Sequence, residues 1–132
     1  MAMLSTVLRL AAGVFIVVGL LHLVLGLGAD IMLGAKVPPE VVRNPVLDSQ
    51  NRFYGTAFAL YGVLLALGAA DIKRHSVTLQ CCFWCFFAGG LARLVSMAIY
   101  GKPSIMVIAL AASEIVPPPL LSLWLRRTVH RS

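Results

Sequence analysis

The stretch from Ser104 to Leu125 reads SIMVIALAASEIVPPPLLSLWL, an apolar run holding one carboxylate, Glu114, followed by Pro117, Pro118 and Pro119. A helix of about 20 apolar residues crosses the roughly 30 Å of bilayer hydrocarbon. An ionisable group near its middle costs about 2.5–3.5 kcal/mol on insertion scales, so it demands an internal partner, a wet cavity or a task. The prolines sharpen that demand. They remove three backbone donors and free the carbonyls of Ser113, Glu114 and Ile115, which in lipid must find other partners. The helix is expected to break at Pro117–Pro119 with a carboxylate at the break, which marks a candidate site.

Three further apolar segments lie upstream, at about 4–28, 53–70 and 77–99, and the last span covers about 104–125. Composition agrees with this count. At 60% hydrophobic and 12% charged residues, with a mean hydropathy of +0.92, the chain falls outside the range of soluble globular domains. Four spans consume most of the 132 residues, leaving a single domain, 1–132, and no room for a soluble catalytic one. The expected fold class is all-α integral membrane, an antiparallel bundle of four transmembrane helices.

The first segment resembles a secretory signal in having Arg9 before its core and small residues at Gly28 and Ala29. Its apolar run from Leu10 is too long for a signal core, so it reads as the first span. The net charge of +6 would suggest nucleic acid in a soluble protein. Here the basic residues gather at segment ends, as membrane topology requires, and nucleic acid is excluded as a partner. Arg9, Lys73, Arg74, Arg126, Arg127 and Arg131 fall on one side, against Lys36, Arg43, Arg52 and Lys102 on the other. Both termini are therefore expected in the cytoplasm, with residues 29–51 forming a long outer loop able to cap a site or act as a lid.

In the second span Gly55 and Ala59, then Gly62, Ala66 and Ala70, recur every four residues, a spacing that lets a neighbouring helix approach closely. Polar residues are fewer and more telling. At about 1.5 Å of rise per residue, His22 and Arg93 sit roughly five residues past their span centres, about 7–8 Å toward the outer face. Glu114 lies near the middle of its span, and Asp48, Asn51, Arg52 and Tyr54 gather at the outer entrance to the second. Arg93 is too deep for an end anchor and too costly to face lipid, so it should point inward and pair with Glu114, with Asp48 as the competing partner. With His22, Tyr54 and Tyr61, these groups exceed what one ion pair needs. They suggest a small-ligand pocket of His22, Asp48, Asn51, Arg52, Tyr54, Tyr61, Arg93 and Glu114.

All three cysteines fall in Cys81-Cys82-Phe83-Trp84-Cys85. Their C-x-x-C spacing suggests redox chemistry, but the charge rule puts them at the cytoplasmic, reducing end of the third span. They are expected to be thiols in an apolar setting, and three sulfurs on little more than one helical turn do not readily enclose a metal.

The stretches Asp48–Gly55 (DSQNRFYG), Phe87–Ser96 (FAGGLARLVS), Gly101–Pro103 (GKP) and Glu114–Pro118 (EIVPP) together resemble a bacterial four-helix membrane family of unknown function grouped with the DoxX/DoxD-like proteins. The resemblance covers nearly the whole chain. It implies a DoxX-like bundle in the bacterial inner membrane and carries Asp48, Arg52, Tyr54, Arg93 and Glu114 over as matching polar positions. It also implies, by analogy alone, service to a membrane oxidoreductase system, quinone-linked chemistry or membrane-protein assembly.

Three functions compete, beside a structural subunit or assembly factor whose charged groups serve only packing. The first is an outward-facing pocket binding a small amphiphile such as a lipid, isoprenoid or quinone, whose polar head Arg93 and Arg52 hold. The second is a small enzyme using Glu114 or His22 for acid–base chemistry on a hydrophobic substrate, with Arg93 steadying negative charge. The third is a homo-oligomeric, proton-coupled transporter with Glu114 as the coupling carboxylate. The first is preferred, with membrane lipids and a membrane oxidoreductase as partners and a bound lipid or quinone in the cofactor's place.

Overall fold

The computed structural model describes residues 1–130. The charge assigned to Arg131 lies outside the described residues. Among the described residues seven helices follow in order: α1 Ala2–Leu25, α2 Leu27–Met32, α3 Pro39–Val42, α4 Pro45–Ala70, α5 Ser76–Tyr100, α6 Ile105–Ile115 and α7 Pro117–His130. Four stretches of the described residues are long and apolar enough to cross a membrane: α1, α4, α5, and α6 with α7 taken together. The chain is a multi-pass membrane protein. Large apolar side chains stay exposed along the spans, among them Leu10, Val17 and Val24 in α1 and Val77, Val95 and Ile99 in α5. In water such surfaces would drive association, whereas hydrocarbon solvates them.

The chain forms two compact units, Thr6–Ala69 and a second made of Met1–Ser5 with Ala70 onward. In the first, α1 and α4 approach through residues with little or no side chain. A Cβ on Gly19 would collide with the Ala59 backbone and stand 2.6 Å from the Gly55 carbonyl oxygen; one on Gly62 would stand 2.8 Å from the Ala12 carbonyl oxygen. The small-residue spacing of α4 is thus the seat of α1, at least from Gly55 to Gly62. Phe15 closes the contact beside them, its ring centroid 4.7 Å from that of Phe58 and 4.8 Å from that of Tyr61.

The expected outer loop is largely helical. After α1 the chain turns at Gly26, whose φ of 54° lies in the left-handed region that glycine enters without strain. Then α2 and α3 follow, and α4 starts at Pro45 rather than near residue 53. The cause is local. Asn44 Oδ1 accepts the backbone N–H groups of Val46 (3.0 Å) and Leu47 (3.3 Å), which caps the helix, and proline suits the first helical position because its missing donor would be unpaired there anyway.

In the second unit α5 packs against both α6 and α7. Gln80 and Ser122 fix the α5–α7 register: Ser122 Oγ donates to Gln80 Oε1 at 2.6 Å, and Gln80 Nε2 donates to the Ser122 carbonyl at 3.2 Å. Between α6 and α7 the interruption is one residue, Val116, which keeps right-handed helical angles and donates its N–H to Ala112 at 2.9 Å. The break expected at the prolines is thus a bend rather than an unwound gap. Pro117, Pro118 and Pro119 open α7, where the first N–H groups of any helix lack intrahelical acceptors. On α5, Cys81 and Cys85 are exposed and Cys82 is buried.

Candidate functional site

Gly90 and Arg93 lie three apart on α5 and so share a face. With no side chain at Gly90, α6 comes close enough that an added Cβ would stand 2.7 Å from Ile115 Cγ1 and 3.0 Å from Glu114 Cβ. That approach carries Glu114 to Arg93, whose Nε donates to Oε2 at 2.7 Å. The pair is lopsided: the Glu114 side chain is 6% exposed and that of Arg93 39%. The carboxylate is thus buried behind the guanidinium, while the arginine's outer edge is open.

That open edge borders a recess of about 250 Å³ lined by Arg93, Ser96, Met97, Tyr100, Lys102 and Val107, with Gly101 and Pro103 at the α5–α6 turn. Gly101, at φ 89°, ends α5 and lets the chain double back. The recess is thus made by one helix end, one turn and the start of the next helix. Its lining combines two cations and two hydroxyls with apolar Met97, Pro103 and Val107. Ser104 makes no side-chain cap to α6, so the first N–H groups of that helix have no capping acceptor from it at the same turn.

The other polar residues singled out in the sequence belong to the unit of α1–α4. Arg52 Nε donates to Asp48 Oδ2 at 2.8 Å, and its Nη1 donates to the carbonyls of Leu23 (2.9 Å) and Val24 (2.8 Å). Asp48 also accepts the backbone N–H of Leu27. The ion pair therefore closes the end of α1 and the start of α2 at once, and Gly26 fits between them because a Cβ there would strike Asp48. Asp48 is thereby not the partner of Arg93.

Deeper in this corner, His22 Nδ1 donates to the Val18 carbonyl at 2.8 Å, since a carbonyl can only accept. Its Nε2 therefore faces Asp30 Oδ1 at 3.5 Å. Asn51 Nδ2 donates to Asp30 Oδ2 at 2.7 Å, an amide orientation that the carboxylate dictates because the reverse would oppose two acceptors. Asn51 Oδ1 is left buried without a hydrogen-bond partner. Asp30, which joins His22 to Asn51, follows the first apolar run and reads from sequence as loop, so no sequence signal marks it as a site residue.

The two tyrosines make aromatic contacts. Tyr54 is exposed, its ring centroid 6.0 Å from that of Phe53, and Tyr61 packs edge-on against Phe15. The sequence pattern of a domain of unknown function, DUF4345, matches residues 3–125. The chain belongs to the DUF4345 family. No curated protein and no solved structure matches it. The DUF4345 match takes in every residue of both polar clusters, from His22 to Glu114, along with the whole lining of the recess. Among the described residues, no group of three or more His, Cys, Asp or Glu side chains is placed to hold a metal ion.

Proposed function

We propose that this DUF4345 protein binds a small membrane amphiphile, a lipid, isoprenoid or quinone, with the polar head in the recess at the end of α5. The supporting observation is the open edge of Arg93 on that recess while its Nε is held by buried Glu114. A guanidinium carries five N–H donors in a fixed fork, and Glu114 uses the inner one, so the outer donors are aimed rather than free to swing. Ser96 and Tyr100 add hydroxyls, and Met97 and Val107 offer apolar contact for the adjoining tail. Few polar groups converging in an apolar wall are the usual anatomy of a small-ligand site. Arg52 has no such role in this reading, because its Nε and Nη1 donors already serve Asp48 and the end of α1.

The charge asymmetry between the chain's two sides supports cytoplasmic termini, with the Tyr100–Pro103 turn and the recess at the outer face of a bacterial inner membrane. The resemblance to DoxX/DoxD-like proteins supports a further part of the proposal, that the bound amphiphile serves a membrane oxidoreductase system. Native mass spectrometry with lipid extraction tests the binding. Wild type should retain a defined amphiphile that Arg93→Ala and Glu114→Gln lose when compared at matched folding by thermal melt. Wild type carrying only unselected bulk lipid, with the variants indistinguishable from it, would refute the proposal.

A further inference from the structure

The chemistry of the recess narrows the class of head group. Arg93 and Lys102 line it together, and the described structure gives Lys102 no hydrogen bond or ion pair. Glu114 offsets one positive charge from behind Arg93, so the lining keeps an uncompensated cation. Every polar side chain on the wall can donate: the outer N–H groups of Arg93, the Lys102 ammonium, and the Ser96 and Tyr100 hydroxyls. The start of α6, which the Ser104 side chain does not cap, follows the recess at the same turn and brings the positive end of a helix dipole near it. The wall thus supplies many donors and one net positive charge.

A quinone offers neutral carbonyl acceptors and leaves that charge unmatched. A carboxylate matches the charge but has two oxygens for a larger set of donors. A phosphate with one alkyl ester or two meets both conditions. Resting on the reading of the recess as an amphiphile site, we propose that it takes the phosphate of an anionic lipid, with Lys102 as the residue that selects for negative charge. The apolar portion of the wall, Met97, Pro103 and Val107, favours a phosphate that carries a hydrocarbon tail over the free ion. A zwitterionic head is disfavoured, since its ammonium would sit among cations.

The test is a binding series on purified wild type and Lys102→Ala in detergent, read by native mass spectrometry with thermal melts alongside. The probes are phosphatidylglycerol, phosphatidylcholine, a long-chain quinone and inorganic phosphate. Lys102 is exposed, so its truncation should leave the melting temperature unchanged where Arg93→Ala would lower it. Wild type should prefer phosphatidylglycerol to phosphatidylcholine and quinone, and Lys102→Ala should weaken that binding about tenfold, as expected for losing one charge-assisted hydrogen bond. Quinone bound as tightly as phosphatidylglycerol, and independently of Lys102, would overturn the phosphate assignment while leaving an amphiphile site intact. Inorganic phosphate binding as tightly as the lipid would overturn the lipid assignment. Binding of none of the four probes would remove both this inference and the reading beneath it.

Discussion

Arg93→Ala is expected to destabilise the unit of α5, α6 and α7 by about 3 kcal/mol, because it strands the Glu114 carboxylate without its cation. Glu114 is 5% exposed as a residue and Arg93 donates to it at 2.7 Å. The figure sits at the lower end for buried pairs because the Arg93 side chain is 39% exposed and part of its charge is solvated either way. Glu114→Gln should cost less, about 1 kcal/mol, since a neutral amide still accepts a hydrogen bond and leaves no buried charge. The double variant Arg93→Ala/Glu114→Gln should therefore be more stable than Arg93→Ala alone, which is the signature of coupling between contacting residues. Unfolding in mixed micelles at increasing denaturing-detergent fraction reads all four proteins. Additive losses, or an Arg93→Ala protein as stable as wild type, would show that the pair contributes nothing to the bend between α6 and α7.

A second large effect is expected where α1 meets α4. Gly19→Leu and Gly55→Leu should each cost about 3 kcal/mol, the upper part of the range for overpacked cores, because the obstructing atoms are mainly backbone and cannot rotate aside. A Cβ at Gly55 would stand 2.7 Å from the Leu23 nitrogen and 2.8 Å from the Gly19 carbonyl oxygen. Gly13 provides the control on the same helix. Nothing lies within 4 Å of a Cβ there, so Gly13→Leu should be neutral or slightly stabilising through higher helix propensity. The same unfolding assay separates the sites, and equal stability of the Gly13 and Gly19 variants would contradict close α1–α4 packing.

Much of this architecture is legible in the sequence, for reasons that differ residue by residue. Hydropathy reveals the four spans because lipid tolerates so few charges that each apolar run stands out. The Arg93–Glu114 pairing follows from cost alone, since two deep, opposite charges are cheapest together. The start of α4 is less visible. Asp48, Asn51 and Arg52 end the apolar window, although the helix continues through them and its true signal is Asn44 followed by Pro45. Asp30 escapes notice because its role depends on the chain turning at Gly26, and no spacing rule places it beside His22 and Asn51. Lys102 reads from sequence as a topology charge. Only the reversal of the chain at Gly101 puts it on the same wall as Arg93.

Asp48 and Arg52 carry the opposite lesson. Their polarity at a span entrance suggests a ligand site, yet their bonds go to Leu23, Val24 and Leu27, the backbone groups that a helix end leaves without partners. A polar cluster at a span entrance can be consumed by such capping. The corner at His22 differs, since Asn51 Oδ1 remains without a partner.

On the proposal made above, the recess at the end of α5 holds a selected amphiphile in the membrane. The most direct measurement is site-specific photocrosslinking in native membranes, with the photoreactive residue at Met97 in the recess and, for comparison, at Val17, which is 66% exposed on α1. Position 97 should capture one defined species, absent at position 17 and captured less when Lys102→Ala is added. The same mixture of bulk lipid at both positions, unchanged by that substitution, would contradict it.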